Sequence, residues 1–304
     1  MKALETSFTV HVDPLSKDPA GFAALAPRIV GLAASGESKV PSSLLVQLSG
    51  LKVVSVFGVG YDGVDIAAAR ERGIAVTHTP GVLSDDVADL AMLLMLAVAR
   101  GLPRADQHVR TGRWPKGGLP LGRKVSGSRL GIVGLGRIGQ AIAQRGQGFG
   151  MSIAYTARSE KPGTVFTYFS SAKALAAEVD FLIVITPGGA ATRHLINAEV
   201  LAALGPQGYL INVARGSVVD EDALIAALTS GGIAGAGLDV FANEPNVPEA
   251  LWNLPNVVLT PHIASATVQT RQAMADLAFA NMQAGTTGQP VLTMVPELQA
   301  AAHA

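Results

Sequence analysis

The sequence predicts an α/β fold in which parallel sheets are flanked by helices and the chain forms two domains. Short β-branched or apolar segments alternate with helical patterns along almost the whole chain, which is typical of parallel sheets with helical crossovers. This alternation falls into two blocks, separated by a stretch rich in Gly and Pro. The chain of 304 residues is also longer than most single hydrophobic cores, which favours two domains.

The first block is predicted to be a small α/β unit. Its strands are expected at residues 8–12, 29–32, 53–57 and 74–77, with helices at 41–48 and 64–71 among them. A helix at residues 267–283, near the end of the chain, is expected to return to this block. The smaller domain would then be discontinuous in sequence.

A long helix is predicted to begin at Asp85, with Ser84 as its N-cap, and to run to about Gly101. Its apolar residues cover almost every face, so we expect it to be buried between domains or between subunits. The next stretch, T-G-R-W-P-K-G-G-L-P-L-G-R-K, is expected to be a loop that crosses from one block to the other.

The second block is predicted to be a doubly wound sheet of six strands. The strands are expected at residues 129–133, 151–156, 181–186, 209–213, 235–240 and 257–259, with a helix at 220–229 before the fifth strand. Six strands in such an alternation are typical of a dinucleotide-binding domain.

Composition excludes several classes of function. Basic and acidic residues number 23 each, so no overall field attracts nucleic acid or an anionic membrane. The absence of cysteine removes disulfides, thiolate nucleophiles and Cys-ligated metals. The first residues lack the pattern of a secretory signal, so we expect none, and the longest apolar run falls short of the roughly twenty residues of a bilayer span. We expect a cytoplasmic protein without nucleic-acid or membrane partners. No metal is expected, since the six histidines show no close ligand pairing.

A glycine turn lies between the first strand of the second block and a helix. In G-L-G-R-I-G, Gly134 suits a tight turn, Gly136 the close approach of a pyrophosphate, and Gly139 close packing of helix on strand. Free N–H groups and the positive end of the helix dipole would face the pyrophosphate. A purely structural turn is the alternative, but the strands and helix around it favour dinucleotide binding.

The residue after the next strand indicates which dinucleotide is bound. NAD enzymes usually place Asp or Glu there to bind the adenosine ribose, whereas this chain has Arg158 followed by Ser159. A guanidinium and a hydroxyl would hold a 2′-phosphate through charge-assisted hydrogen bonds. A surface arginine without a role is the alternative. We predict NADP as the cofactor, with NAD used at lower preference.

Four polar residues follow later strands of the same block, at the edge where such sheets bind ligands. Arg215 has the planar fork that suits a carboxylate and a neighbouring carbonyl oxygen. His262 is suited to supply the proton that a carbonyl oxygen needs after hydride transfer. A carboxylate such as Glu244, bonded to the other ring nitrogen, would fix its tautomer; Asp239 follows the same strand as Glu244. Singly, each residue could be structural, but their order downstream of the glycine turn favours catalysis.

Six segments in order match one known family. They are F-G-V-G-Y-D-G-V-D, V-A-D-L-A-M-L-L-M-L-A, G-I-V-G-L-G-R-I-G, I-N-V-A-R-G-S-V-V-D-E-D-A-L, A-G-L-D-V-F-x-x-E-P and L-T-P-H-I-A-S. On these segments the sequence resembles the D-isomer-specific 2-hydroxyacid dehydrogenases, from about Leu51 to about Gln283. It is most similar to their NADP-preferring glyoxylate/hydroxypyruvate and hydroxyphenylpyruvate reductases.

The resemblance implies a role for each candidate residue. Arg215 would bind the substrate and position its carbonyl, His262 would be the general acid/base, and Glu244 would support it. Backbone N–H groups near Val59 and Gly60 would hold the substrate carboxylate. The implied cofactor-binding residues are Gly134, Gly136, Arg137, Ile138, Gly139, Arg158, Ser159, Thr186, Pro187, Val213, Ala214, Asp239, His262 and Ala264.

The same resemblance implies the domains and the assembly. Two Rossmann-like domains are expected: a flavodoxin-like substrate-binding domain at residues 1–97 and 279–304, and an NADP-binding domain at 98–278. The helix from Asp85 and the loop after it would form much of a homodimer contact. Trp114, in that loop, would reach the active site of the other subunit as a specificity residue.

We therefore expect NADPH-dependent reduction of small 2-oxo acids, glyoxylate and hydroxypyruvate first, to D-2-hydroxy acids. Phenylpyruvate or hydroxyphenylpyruvate reduction is the near alternative. A non-catalytic nucleotide-sensing protein on the same fold is an alternative of another class, and a formate dehydrogenase is a further, weaker one.

Overall fold

A computed structural model describes residues 2–299 of the chain, with side chains from residue 4 onward. The strands of this part are β1 (Gly31–Ser35), β2 (Val53–Phe57), β3 (Ala75–Thr77), β4 (Arg129–Val133), β5 (Ser152–Thr156), β6 (Thr167–Phe169), β7 (Phe181–Val184), β8 (Tyr209–Asn212), β9 (Gly235–Leu238) and β10 (Val257–Leu259). Its α-helices are α1 (Lys2–Ser7), α2 (Pro14–Lys17), α3 (Pro19–Leu25), α4 (Ser42–Gln47), α5 (Ile66–Glu71), α6 (Ser84–Arg100), α7 (Leu102–Arg110), α8 (Arg137–Gly148), α9 (Ala172–Ala176), α10 (Ala198–Leu204), α11 (Glu221–Ser230), α12 (Glu249–Trp252), α13 (Val268–Thr287) and α14 (Pro296–Gln299). None of these helices combines the length and the apolar character that a bilayer crossing requires.

The chain divides into two compact units, of which the first is discontinuous. The first unit contains the chain up to Leu83 and again from Thr267, and the second unit is Ser84–Ala266. The sequence-based boundaries, after residues 97 and 278, lie about a dozen residues later at each crossing. Packing explains the difference: α6 packs as a whole against α8, β8 and β9, and α13 packs against β1, β2 and β3.

The first unit is a parallel three-stranded sheet in the order β1-β2-β3, covered by helices on both faces. Because side chains alternate along a strand, successive residues of β2 face opposite layers. Val54 and Val56 lie in the apolar cluster formed with residues of α3, α4 and α5. On the other face, the Ser55 hydroxyl donates to the Ala278 carbonyl in α13 at 2.8 Å.

The strand predicted at residues 8–12 is wrong. This segment is irregular and follows α1, and β1 begins only at Gly31, two residues after the predicted start of the next strand. The apolar residues whose alternation suggested a strand do not share one buried face. The ring of Phe8 packs edge-on against Phe279 of α13, with the ring centroids 6.4 Å apart, and Val12 is exposed.

The second unit is a parallel sheet of seven strands in the order β10-β9-β8-β7-β4-β5-β6. The chain adds β5 and β6 on one side of β4, then crosses over and adds β7 to β10 on the other side. This reversal confirms the doubly wound parallel architecture. It also places a crevice between the carboxyl ends of β4 and β7, where such sheets bind their ligands. The short edge strand β6 was not predicted.

Helix α6 lies directly on the sheet of the second unit because two positions of β9 lack side chains. A Cβ atom on Gly237 would lie 2.9 Å from the Leu94 Cβ, and one on Gly235 would lie 2.9 Å from a Val98 methyl. Among the residues of α6 that this packing buries are Leu94, Met95 and Val98. The glycines of β9 let α6 approach the sheet closely, and this contact accounts for part of the apolar surface of α6.

We predict that Gly237→Val lowers the free energy of unfolding by about 1–3 kcal/mol, because overpacking would push α6 away from β9. Thermal and denaturant unfolding measure this loss. Gly148→Ala is the matched control, since a Cβ there meets no atom within 4 Å. Equal stability of the two variants would contradict the close packing of α6.

Candidate active site

The glycine turn and the candidate catalytic residues all follow strands of the seven-stranded sheet. The turn follows β4, Arg158 follows β5, Arg215 follows β8, and His262 follows β10. Since all strands of this sheet are parallel, their carboxyl ends share one edge. The structure therefore places these residues of the second unit along a single sheet edge.

The glycine turn is set by close backbone contacts. Gly134 has a φ of 104°, and a Cβ there would lie 2.9 Å from the Ile185 carbonyl oxygen in the loop after β7. A Cβ on Gly139 would lie 2.1 Å from the Gly134 carbonyl oxygen. Both positions therefore require glycine for steric reasons inside the protein. The turn also brings the loop after β4 against the loop that carries Thr186 and Pro187.

Gly136 is a glycine for a different reason. It is exposed, its φ is −85°, and an added Cβ would meet no atom within 4 Å. No side chain caps the start of α8, so its first N–H groups face the space beside Gly136. Such a helix start binds anions, and a bare backbone lets a pyrophosphate come close to it. The donors and the room at this turn fit a dinucleotide.

Arg158 lies exposed just beyond the end of β5. Its guanidinium makes no hydrogen bond or ion pair with any residue between 2 and 299, and Ser159 beside it is also exposed. Two buried or half-buried tyrosines hold the loop on either side. The Lys161 N–H donates to the Tyr155 hydroxyl at 2.7 Å, and the Tyr168 hydroxyl donates to the Ala157 carbonyl at 3.4 Å. The loop is anchored while its cation faces solvent.

The end of β8 shapes the turn that carries Arg215. The buried side chain of Asn212 accepts from the Ala214 N–H at 3.1 Å and donates to the Arg215 carbonyl at 3.1 Å. A Cβ on Gly216 would lie 1.9 Å from the carbonyl carbon of Phe241, so the turns after β8 and β9 touch. Val213 and Ala214 are buried, whereas Arg215 is half-buried.

His262 and Glu244 form a hydrogen-bonded pair. The Nδ1 atom of His262 lies 2.7 Å from Oε2 of Glu244, and Oε1 of Glu244 accepts from the Phe241 N–H at 2.8 Å. Their side chains are 28% and 22% exposed, so water screens the pair only partly. A carboxylate on Nδ1 assigns a proton to that nitrogen, which leaves Nε2 as the ring atom that can act on a ligand.

The environment keeps Glu244 ionised. Burial alone would raise its pKa, but the hydrogen bonds from His262 and the Phe241 N–H, with the charges of His262 and Arg215, outweigh burial and lower the pKa of Glu244. Because the interaction is mutual, the ionised carboxylate also stabilises the imidazolium form of His262. The pair thus has the electrostatics of an acid–base dyad with an orienting carboxylate.

Asp239 anchors the loop that carries His262. Its fully buried carboxylate accepts from the Thr260 hydroxyl at 2.6 Å and from the N–H groups of Ile263 and Ala264 at 2.8 and 2.9 Å. Its backbone carbonyl accepts from the His262 N–H at 2.8 Å. Burial raises the pKa of Asp239 although these donors and His262 oppose the rise. These bonds hold His262 at a φ of 52°, a backbone conformation that residues other than glycine rarely adopt.

The remaining expected residues lie elsewhere. Val59 and Gly60 belong to the first unit, in the loop after β2, and the second unit carries Trp114 in a single 3₁₀ turn, 68% exposed. The roles expected for these three residues and for all the other site residues stay predictions, as do the expected homodimer and the absence of a metal.

Three supporting residues were not assigned from the sequence. Asn212 and Gly216 contact backbone groups, and Thr260 contacts the buried carboxylate of Asp239. An Asn at a strand end commonly bonds the N–H two residues on, so Asn212 had a recognisable signal. Gly216 and Thr260 have partners from other strands, and nothing in the local sequence indicates those.

Comparisons with known proteins identify the family of the chain. The family described as D-isomer specific 2-hydroxyacid dehydrogenase, NAD binding domain, matches residues 92–264. Hydroxyphenylpyruvate reductase of Plectranthus scutellarioides is 47% identical over 289 residues, covering 95% of this chain and 91% of its own. The 2-ketogluconate reductase of Gluconobacter oxydans (strain 621H) is 46% identical over 292 residues, covering 96% and 93%.

A solved structure is similar over nearly the whole fold. It is the NADPH-dependent glyoxylate/hydroxypyruvate reductase of Sinorhizobium meliloti in complex with NADP and malonate, with a TM-score of 0.87 and 52% identity. The similarity covers 91% of this chain and 88% of that one.

The family match and these relatives show an oxidoreductase that binds a nicotinamide cofactor, and the glycine turn and the His262–Glu244 pair on one sheet edge fit that class. With the family match and these relatives, the chain belongs to the D-isomer-specific 2-hydroxyacid dehydrogenases.

We predict that alanine substitutions separate the two kinds of glycine in the turn. Gly139→Ala should lower both stability and NADPH affinity, because its Cβ would collide with the Gly134 carbonyl. Gly136→Ala should unfold like the wild type but bind NADPH more weakly, because the methyl group occupies the room for the pyrophosphate. Thermal unfolding and titration with NADPH measure both effects. Wild-type NADPH affinity in Gly136→Ala would contradict this assignment.

Proposed function

We propose that the protein is an NADPH-dependent reductase of small 2-oxo acids, with glyoxylate and hydroxypyruvate as its first substrates and D-2-hydroxy acids as products. The observation that carries this proposal is the His262–Glu244 pair, at 2.7 Å, on the same sheet edge as the glycine turn. A protein that only sensed nucleotides would need the turn but not this pair. The relatives named above support the substrate class, since each is named for a 2-oxo acid or its reduction.

Each residue of the site has a chemical task in this reaction. When bound, NADPH supplies the hydride that C2 of the oxo acid accepts. His262 donates its Nε2 proton to the carbonyl oxygen as negative charge develops there. Glu244 keeps the ring oriented and favours its protonated form. Arg215 binds the carbonyl oxygen and the carboxylate with its planar fork.

The backbone N–H groups of Val59 and Gly60 hold the substrate carboxylate in this proposal. Neither N–H has an acceptor within the described part of the chain. Adjacent free N–H groups form an anion-binding concavity.

The preference for NADPH rests on the loop after β5. Arg158 is exposed and unpaired within residues 2–299, and Ser159 offers a hydroxyl beside it. Both would bind a 2′-phosphate, whereas a ribose hydroxyl gains little from a cation. The S. meliloti enzyme named above is NADPH-dependent, which supports the proposed binding of the 2′-phosphate by this loop.

Hydroxyphenylpyruvate and 2-ketogluconate are the alternative substrates, because the two curated relatives carry those names. Initial rates with glyoxylate, hydroxypyruvate, hydroxyphenylpyruvate, pyruvate and 2-ketogluconate, each with NADPH and NADH, rank them. The proposal expects the highest kcat/KM with glyoxylate or hydroxypyruvate and NADPH. No turnover of any 2-oxo acid would overturn it.

We predict that Glu244→Gln moves the alkaline fall of the reduction rate to lower pH. Reduction needs protonated His262, and the ionised carboxylate that stabilises the imidazolium is absent from this variant. The measurement is kcat/KM at pH values from about 5 to about 9, because a histidine side chain changes its charge within this range. His262→Ala is the reference, with turnover abolished and NADPH affinity nearly retained. An unmoved profile in Glu244→Gln would contradict the dyad.

We predict that Arg158→Asp raises the KM for NADPH on the order of ten- to hundredfold, because a carboxylate repels the 2′-phosphate. The KM for NADH should stay the same or fall. Arg28→Asp changes the net charge equally on an exposed residue of the first unit and should leave both values unchanged. An unaltered ratio of NADPH to NADH efficiency in Arg158→Asp would contradict the role of this loop.

A further inference from the structure

The turn at Val59 and Gly60 is fixed by two consecutive residues of the neighbouring segment. The Thr79 N–H donates to the Gly58 carbonyl at 2.8 Å. The Nδ1 atom of His78 lies 3.0 Å from the Val59 carbonyl oxygen. A carbonyl oxygen can only accept, so Nδ1 of His78 carries the proton and donates it. Both bonds lie within the first unit.

These bonds decide where two N–H groups point. The peptide bonds 58–59 and 59–60 are trans, and in a trans peptide the N–H points opposite to the C=O. With the carbonyls of Gly58 and Val59 directed at the 78–79 segment, the N–H groups of Val59 and Gly60 point away from it. Neither has an acceptor within residues 2–299. The turn thus presents two parallel donors.

His78 is itself held on several sides. It is 8% exposed, and its ring meets Tyr61 edge-on with the ring centroids 5.2 Å apart. Its N–H donates to the Thr293 carbonyl at 3.2 Å, and the Thr293 hydroxyl donates back to the His78 carbonyl at 2.6 Å. The Asn281 amide of α13 donates to that same hydroxyl at 2.7 Å. A chain of polar bonds therefore leads from α13 to the Val59 peptide.

We infer that His78 is a positioning residue for the substrate carboxylate: its Nδ1–H fixes the Val59–Gly60 peptide so that the Gly60 N–H faces the anion. This inference rests on the proposed binding of the substrate carboxylate by Val59 and Gly60. Without the donor, the peptide can rotate, and rotation would aim the carbonyl oxygen at the carboxylate. A buried histidine that only filled space would have no such effect on anion affinity.

The test is the affinity for oxalate, a small carboxylate that resembles glyoxylate, measured by calorimetry on the full chain with saturating NADPH. His78→Leu removes the donor at similar size and should weaken oxalate binding about tenfold, since the fixed orientation of a donor to an anion is lost. His78→Asn carries an amide N–H close to the position of Nδ1 and should recover part of the affinity. NADPH affinity should stay at the wild-type value in both variants.

The control variant is Ser55→Ala. It also loses a buried hydrogen bond from a side chain to a backbone carbonyl in the first unit, but this bond does not involve the Val59–Gly60 turn. It should lower the unfolding temperature but not the oxalate affinity. Wild-type oxalate affinity in His78→Leu would overturn the inference, and so would equal losses in His78→Leu and Ser55→Ala. An absence of oxalate binding to the wild type would overturn it as well.

The outcome separates this inference from the proposed function. If oxalate binds and its affinity depends on His78, while no 2-oxo acid is reduced, the proposed activity fails and the positioning role stands. If 2-oxo acids are reduced and His78→Leu changes neither oxalate affinity nor the substrate KM, the activity stands and the positioning role fails.

Discussion

The buried carboxylate of Asp239 holds together the ends of two neighbouring strands at the edge of the sheet where His262 and Glu244 lie. It lies at the end of β9 and binds the Thr260 hydroxyl and two N–H groups of the loop after β10. An unpaired carboxylate in this position would cost several kcal/mol, so the loop cannot leave it without a large penalty. His262 is therefore held in a strained backbone conformation beside Glu244. The resemblance implied only that Asp239 binds the cofactor; the structure also shows that its carboxylate fixes the loop that carries His262.

The same edge collects its other residues because every strand of the sheet runs in one direction. Side chains far apart in sequence meet wherever parallel strands end, and close glycine contacts bring neighbouring turns together. Gly216 allows the turn of Arg215 to touch the turn that leads to Glu244. Gly134 does the same between the dinucleotide turn and the loop after β7. The contact between these turns also has an electrostatic effect, because the positive charge of Arg215 helps to lower the pKa of Glu244 and keep it ionised.

Much of this could be predicted from the sequence, because its signals are local. The strand β4, the glycine turn and α8 are contiguous, and Arg215, Glu244 and His262 each follow a recognisable apolar strand. The sequence-based predictions were wrong or incomplete where tertiary packing, rather than the local residue pattern, decides the structure. Residues 8–12 alternate like a strand, yet Phe8 packs on α13. The edge strand β6 has the sequence T-Y-F and is exposed or half-buried, so it lacks the apolar, β-branched run that marks the predicted strands. The bonds of Thr260 and His78 join segments whose pairing only the fold determines.

In the proposed reaction, hydride passes directly to C2 of a 2-oxo acid while His262 donates the proton to the carbonyl oxygen. Reduction of hydroxypyruvate with NADPH that carries deuterium at the transferred position of the nicotinamide tests the direct transfer of the hydride. The expected product is D-glycerate with deuterium at C2. Loss of the label to solvent, or formation of the L isomer, would contradict direct transfer at this site.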